Sequence, residues 1–150
     1  MTPKISVCLV DDDDSNLAVM RLILLGMGIV NIVSFADARQ AWSHIRDASP
    51  SIVVSDWNMD PMNGLELLAL VRGYRSTSDI PFIMVTANIS EDYWRRAIEA
   101  GASDFLFKPF RLDAFRSAIE IALGLRLNSV EQLAIPGIGP CARTQTVRAC

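Results

Sequence analysis

The chain has 150 residues, 51% of them hydrophobic, and carries a formal net charge of −3 at pH 7. This length is enough to bury one substantial core but too short for two ordinary domains. The acidic balance argues against direct nucleic-acid binding, which needs a basic face, and charged residues interrupt each apolar run before it could cross a bilayer.

The cysteines bear on the redox environment of the chain. Cys8 lies in the first apolar run, and Cys141 and Cys150 lie near the end of the sequence. Their spacing matches neither a metal site nor a disulfide framework, so we expect reduced thiols, with a disulfide in the tail as the alternative. In the absence of a candidate membrane segment, the sequence predicts a cytoplasmic protein.

Five short apolar runs alternate with five segments of helical spacing. Each apolar run has the length of a strand, and capping residues or glycines bound several of the helical segments. In chain order the pattern predicts β1 at 5–10, α1 at 16–25, β2 at 31–35, α2 at 37–47, β3 at 51–55, α3 at 64–72, β4 at 80–86, α4 at 91–100, β5 at 105–107 and α5 at 112–123.

This repeat predicts an α/β fold with a (βα)5 arrangement. Ser90 stands where an N-cap of α4 is expected, and Gly26 and Gly101 occupy helix-stop positions. Nearly uninterrupted apolar strands indicate a parallel sheet covered by helices on both faces. Right-handed crossovers then place the carboxyl ends of all strands at one edge of the sheet.

The pattern fades after Leu125. Two prolines and two glycines at 136–140 resist helix extension, and the segment shows no clear periodicity. We therefore predict a folded domain at 1–126 and an irregular C-terminal tail at 127–150, and we favour a loosely ordered tail over a specific binding role.

Polar side chains collect at the predicted carboxyl edge of the sheet. Three carboxylates in close proximity repel one another and are stabilised by a cation. Oxygen ligands without histidine or cysteine favour Mg²⁺, with Mn²⁺ also possible, over zinc. The residues are Asp11 and Asp12 after β1, Asp56 after β3, Thr86 and Ala87 at the end of β4, and Lys108 after β5.

This set of groups is suited to phosphoryl transfer. One carboxylate can attack phosphorus as a nucleophile, while a metal ion, a hydroxyl and an ammonium group neutralise the phosphoryl oxygens. The product is an aspartyl phosphate. The small side chain of Ala87 leaves room for the phosphoryl group beside the Thr86 hydroxyl.

Five short motifs together resemble the bacterial response-regulator receiver domain. They are VDD at 10–12, SDWNM at 55–59, MVTAN at 84–88, AGAS at 100–103 and KPF at 108–110. The resemblance covers about residues 4–124, and SDWNM followed by MNGLELL is especially similar to the single-domain chemotaxis regulators. It implies a flavodoxin-like doubly wound sheet with strand order 2-1-3-4-5 and a receiver domain at 1–126.

The resemblance also assigns roles to the edge residues. It implies that Asp56 is the phosphoacceptor and that Asp11 and Asp12 form the acidic pair that holds Mg²⁺, with Asp12 as the direct ligand. Asp56 and the backbone carbonyl of Asn58 complete the expected metal ligands. Thr86, Lys108 and the backbone amide of Ala87 are expected to bind the phosphoryl oxygens.

The same resemblance predicts a switch. Phe105 occupies the position of the family's switch aromatic, and movement of Thr86 toward the phosphate would let this ring turn inward and alter the α4-β5-α5 face. The alternative is that Phe105 is simply a core residue. The family's loop proline is replaced by Asp60, with Pro61 one position later, and Lys108–Pro109 is expected to be a cis peptide.

The implied partners are a histidine kinase or histidine phosphotransfer protein and a downstream protein target. The chain would act as a monomer or a weak α4-β5-α5 dimer in a bacterial cytoplasm, without membrane insertion. His44 is predicted to be an exposed polar residue rather than a phosphodonor. Trp94, Arg95 and Arg96 form either a partner-docking patch or, for Trp94, a packing contact with Ile98.

Two other functions remain open from the sequence. A haloacid-dehalogenase-like phosphohydrolase would use Asp11 as nucleophile and Asp13 as the second acid, although the chain is too short for a cap domain. A phosphorylation-independent binding module is the third possibility, and the full set of Asp12, Asp56, Thr86 and Lys108 argues against it.

Overall fold

The computed structural model describes residues 4–124, in which five strands and five helices alternate. The predicted repeat is therefore confirmed. The elements are β1 (Ser6–Val10), α1 (Asp14–Gly26), β2 (Asn31–Phe35), α2 (Ala38–Ala48), β3 (Ile52–Asp56), α3 (Gly64–Gly73), β4 (Phe82–Thr86), α4 (Glu91–Glu99), β5 (Asp104–Phe107) and α5 (Leu112–Leu123).

The strands form one parallel sheet in the order β2-β1-β3-β4-β5, as predicted. Register places Cys8 of β1 beside Val33 of β2 and Val53 of β3. This is the flavodoxin-like arrangement, in which the strand order reverses between β1 and β3. The reversal opens a crevice at the carboxyl ends of these two central strands.

Alternate residues of each strand supply two cores, one on each face of the sheet. On one face, β-strand side chains such as Val53 pack with α2, α3 and the single buried residue of α4, Ala97. On the other, Leu9 and Val54 pack with α1 and α5. Both faces are thus covered, which explains why the strands read as nearly continuous apolar runs.

Local hydrogen bonds explain where the helices begin. Asp13 caps α1, since its side chain accepts from the backbone N–H of Ser15, so the helix starts at Asp14 and not at the predicted residue 16. Asn63 and Glu66 form a capping box at the start of α3. Ser90 caps α4, as predicted.

Several strand bounds differ from the prediction. Strand β3 extends through Asp56, and β4 begins at Phe82 rather than residue 80. Asp56 and Thr86 are therefore the last residues of their strands, and the sheet itself holds their backbones. An apolar pattern cannot reveal this, because pairing with neighbouring strands can continue into polar residues.

Other sequence expectations lie outside the described residues. These include the tail at 127–150, the domain boundary at 126 and the thiols of Cys141 and Cys150. Cys8 is a buried free thiol. Among the helices of residues 4–124, none combines the length and the apolar character needed to cross a membrane.

Candidate functional site

The sheet brings the predicted edge residues together. Backbone pairing continues just past the strands: the Asp11 N–H donates to the carbonyl of Phe35, and the Lys108 N–H donates to that of Thr86 at 2.7 Å. Asp56 and Thr86 are themselves the final residues of β3 and β4. The backbone around the site is thus held by the ladder of the sheet.

Three carboxylates meet at this edge. One oxygen each from Asp11, Asp12 and Asp56 lies within 4.8 Å of the others. Asp11 is fully buried and Asp56 is 6% exposed, whereas Asp12 is exposed to solvent. The cluster therefore has a buried part within the sheet edge and an open side through which a ligand can enter.

Lys108 bridges the two buried carboxylates. Its Nζ donates to Asp11 Oδ2 at 2.8 Å and lies 3.3 Å from Asp56 Oδ1. Burial lowers the pKa of this ammonium group, but the hydrogen bond to Asp11 and the charges of both carboxylates outweigh it and raise the pKa overall. The lysine is therefore held in its charged form.

The ionised form of Asp56 remains unfavourable even with Lys108 beside it. Its burial, followed by the charge of Asp11, raises the pKa of its carboxyl group, and Lys108 offsets these effects only in part. One ammonium group thus serves two buried acids. A further cation beside Asp56 would favour its ionised form.

The donor set fits a hard divalent cation. All three clustered side chains offer carboxylate oxygens, which suit Mg²⁺ and Mn²⁺. Asn58 and Asp60 are exposed in the loop between β3 and α3, next to the cluster in sequence. The Asp60–Pro61 peptide of this loop is cis.

Gly64 fixes the far end of that loop against the site. Its N–H donates to the carbonyl of Trp57 at 2.8 Å. A Cβ at position 64 would overlap the carbonyl oxygen of Asp56 and stand 2.9 Å from the Met84 sulfur. Only glycine lets α3 begin this close to the backbone of Asp56.

Thr86 and Ala87 lie at the end of β4, which pairs with β3 on the side opposite β1. The Thr86 side chain is buried, and its Oγ1 accepts the backbone N–H of Asn88 at 3.1 Å. Ala87, the next residue, is exposed and has only a methyl side chain. The Lys108–Pro109 peptide is cis, as predicted.

Comparison with known proteins identifies the family. The family model of the response regulator receiver domain matches residues 7–120. The chain belongs to this receiver family.

Curated and solved relatives agree with this assignment of the receiver domain. The probable chemotaxis protein CheY of Rhizobium etli is 32% identical over 121 residues, covering 81% of this chain and 94% of that protein. Chemotaxis protein CheY1 of Helicobacter pylori is 28% identical over 116 residues, 77% of this chain and 94% of that protein. The solved structure of Vibrio cholerae CheY4 matches with a TM-score of 0.75 and 26% identity, over 81% of this chain and 100% of that one.

Phe105, the predicted switch aromatic, points inward. It is 6% exposed, and its ring meets Phe107 edge-on at a centroid distance of 5.1 Å. Phe107 is 39% exposed, so this pair connects the interior to the surface. Phe105 belongs to the same apolar cluster as α2, α3 and the buried side of α4.

An aromatic stack beside Asp56 was not singled out from the sequence. Trp57 is 3% exposed, and its ring stacks on Tyr93 of α4 with a centroid distance of 4.4 Å. The guanidinium of Arg96 lies over both rings, 5.5 Å from Trp57 and 5.9 Å from Tyr93. The available signal was a tryptophan directly after the predicted phosphoacceptor, in a loop that also contains Met59 and Met62.

One side-chain expectation needs correction, and one stays a prediction. Trp94 and Ile98 are 44% and 38% exposed, which fits both the docking patch and the half-buried packing contact. Arg95 pairs with Glu91 at 3.0 Å, also on the surface. His44 is half-buried rather than exposed, because its ring packs against Phe35 at a centroid distance of 5.4 Å.

Proposed function

We propose that the receiver domain accepts a phosphoryl group on Asp56. A carboxylate oxygen forms the new bond to phosphorus while the bond from phosphorus to a phosphohistidine nitrogen of the donor breaks. The observation that carries the proposal is the grouping of Asp11, Asp12 and Asp56, with Lys108 bonded to the buried pair. The donor is a histidine kinase or histidine phosphotransfer protein.

The neighbouring residues have separate roles in this step. Asp11, Asp12, Asp56 and the Asn58 carbonyl would hold Mg²⁺, and Mg²⁺ when bound supplies positive charge that neutralises the phosphoryl group. Lys108, already placed 3.3 Å from Asp56, can move its ammonium toward a phosphoryl oxygen. The Thr86 hydroxyl and the Ala87 backbone amide are the proposed neutral donors.

The output of the switch is a change in the α4-β5-α5 face. If Thr86 turns toward the phosphoryl group, its present contact with the Asn88 N–H at 3.1 Å is lost and the start of α4 is free to move. Phe105 and the exposed Trp94, Arg95 and Arg96 would pass this change to a downstream protein. We expect a monomer or weak dimer acting in the bacterial cytoplasm.

Intact mass spectrometry tests the proposed function. The native chain is incubated with acetyl phosphate with and without Mg²⁺, alongside Asp56→Asn, Asp11→Asn and the control Asp14→Asn, whose residue lies in the first turn of α1. We expect a Mg²⁺-dependent gain of one phosphoryl group in the native chain and in Asp14→Asn. Asp56→Asn should show no gain, and Asp11→Asn should react much more slowly.

The alternative outcomes separate the other functions. An adduct that persists in Asp56→Asn and disappears in Asp11→Asn would support the phosphohydrolase chemistry. The structure gives that chemistry little support, because Asp13 caps α1 through the Ser15 N–H. If none of the chains gains a phosphoryl group, the result would support a binding module that works without phosphorylation.

A further inference from the structure

Trp57 ties the phosphoacceptor to the sheet and to the loop that follows. It is the residue directly after Asp56, its N–H donates to the carbonyl of Val85 at 3.0 Å, and its own carbonyl accepts from Gly64. The backbone on both sides of the indole is thus held in place. A rearrangement at Asp56 therefore acts on a side chain with few ways to relax.

The ring of Trp57 reaches from this position to α4. It stacks on Tyr93 with an interplanar angle of 30°, and the Arg96 guanidinium lies over both rings. Arg96 also lies 3.9 Å from the Asp92 carboxylate on the same helix. Tyr93 and Arg96 therefore contact the residue next to the phosphoacceptor from one face of α4.

Helix α4 has little other packing to hold it. Ala97 is its one buried residue, and Trp94 and Ile98 face solvent to a large extent. Helix position depends mainly on the burial of one face, so a helix with a single buried alanine is weakly seated. The stack of Trp57, Tyr93 and Arg96 adds an aromatic and cation–π contact between α4 and the loop after β3.

We propose that the Trp57–Tyr93–Arg96 stack couples the phosphorylation state of Asp56 to the position of α4. This inference rests on the proposed function, since it concerns how the same site is read out. Stacking and cation–π attraction both depend on ring separation and overlap, so a small shift of Trp57 changes how firmly α4 is held. The route begins in the loop after β3 rather than in β5, and it meets the Phe105 route where the Trp57 ring lies edge-on to Phe105 at a centroid distance of 6.5 Å.

Thermodynamic linkage gives the coupling a second consequence. Suppose that phosphorylation changes the free energy with which α4 docks on the domain. A partner that binds one position of α4 then changes the equilibrium constant of phosphorylation by the same factor. Arg96 is half-exposed and takes part in the stack. An acidic partner that draws Arg96 away would therefore act back on Asp56.

Backbone hydrogen exchange of the full chain tests the coupling. Exchange of the α4 amides, which include the Trp94 N–H bonded to the Ser90 carbonyl, is measured with Mg²⁺ alone and with Mg²⁺ plus acetyl phosphate. The variants are Tyr93→Leu, which removes the stacking ring, and Arg96→Gln, which removes the cation. Intact mass spectrometry of the same samples records how much of each chain is phosphorylated.

The chain offers matched controls for both variants. Its other tyrosine, Tyr74, meets Trp42 edge-on at 5.6 Å on another part of the surface, so Tyr74→Leu removes a similar aromatic contact. Arg46 is exposed and lies 3.5 Å from Asp47, so Arg46→Gln removes a comparable surface charge. Circular dichroism checks that every variant is folded.

We expect phosphorylation to change α4 exchange in the native chain and in both controls, and the change to fall by roughly fivefold or more in Tyr93→Leu. Arg96→Gln should lose a smaller part of it. A fully phosphorylated Tyr93→Leu or Arg96→Gln chain with a native α4 response overturns the inference while leaving the proposed function intact. An equal loss in the controls also overturns it, and a native chain without adduct removes the proposed function itself.

Discussion

The Nζ of Lys108 lies 2.8 Å from the Oδ2 of Asp11, a residue 97 positions earlier in the chain. The same nitrogen lies 3.3 Å from Asp56. The side chain of Asp11 is fully buried, and that of Asp56 is 8% exposed, so neither carboxylate is well solvated. Both buried carboxylates therefore share one ammonium group, which offsets their combined negative charge only in part.

Replacing Lys108 with methionine is expected to destabilise the domain. It leaves two buried carboxylates without their cation, and breaking a buried ion pair costs about 3–5 kcal/mol. Because the folded-state pKa of Lys108 is raised, its stabilisation is fully present at pH 7 and is lost only as the pH rises above the ordinary lysine range. Urea unfolding at pH 7 measures the loss.

Magnesium should reduce the difference between Lys108→Met and the native chain. The variant site is more negative, so Mg²⁺ should raise its melting temperature more than that of the native chain, by preferential binding to the folded state. Lys4→Met, at an exposed position, serves as the control and should be nearly neutral. Equal Mg²⁺ effects on all three chains would contradict this account of the site.

Gly64→Ala tests the close approach of α3 to Asp56. The added Cβ overlaps the Asp56 carbonyl oxygen, so the helix or the strand end must move, at a cost of about 1–3 kcal/mol. The rate of phosphorylation should fall with it. Gly73→Ala, at the other end of the same helix, meets nothing within 4 Å and should be neutral or slightly stabilising. Equal unfolding midpoints for the two variants would rule out the predicted clash.

Cys8 should make the fold sensitive to alkaline pH. Burial raises the pKa of its thiol from 9.0 to about 12, so between these values the unfolded chain loses a proton that the folded chain keeps. The stability that Cys8 contributes is present below pH 9 and is lost as the pH rises toward 12, at up to about 1.4 kcal/mol per pH unit.

Comparison with Cys8→Ala isolates this effect from other groups that titrate at alkaline pH. Urea unfolding between pH 8 and about 10.5 should show a steeper loss for the native chain than for the variant. The variant is less stable at neutral pH, because it loses buried volume in β1. Parallel pH profiles for both chains would show that Cys8 does not control the slope.

Arg72→Lys should weaken the hydrogen bonds that connect α3 to the turn after α4 and to the loop before β4. The guanidinium of Arg72 donates to the carbonyls of Gly101, Ser78 and Ile80 at 2.9, 3.0 and 2.7 Å. An ammonium group cannot reproduce this fork, so we expect a loss of about 2 kcal/mol or more in urea unfolding. Arg75→Lys, at an exposed neighbouring position, should change stability by less than about 0.5 kcal/mol. A loss of the same size in both variants would mean that the three carbonyl contacts of Arg72 do not matter.

The fold could be predicted because its strands and helices follow from the local pattern of apolar and polar residues. The alternation of apolar runs with helical segments indicated all ten elements, and the parallel arrangement indicated that Asp11, Asp56 and Lys108 share an edge. Strand bounds were less accurate, because Asp56 and Thr86 are polar residues that the sheet pairs as strand. The four-aspartate run is ambiguous as a pattern, and the hydrogen bond that the Ser15 N–H donates to Asp13 separates the helix cap from the acidic cluster.

The amino-acid pattern alone predicts a parallel (βα)5 sheet and the acidic, hydroxyl and ammonium groups at its carboxyl edge, from periodicity and from the rule that parallel strands end together. The strand order came from the resemblance to receiver domains. Only the packed structure shows that Lys108 bridges Asp11 and Asp56, and that Trp57 turns inward to stack on Tyr93 beneath Arg96. Such contacts join residues far apart in the chain, and their geometry depends on how the packed elements orient each side chain.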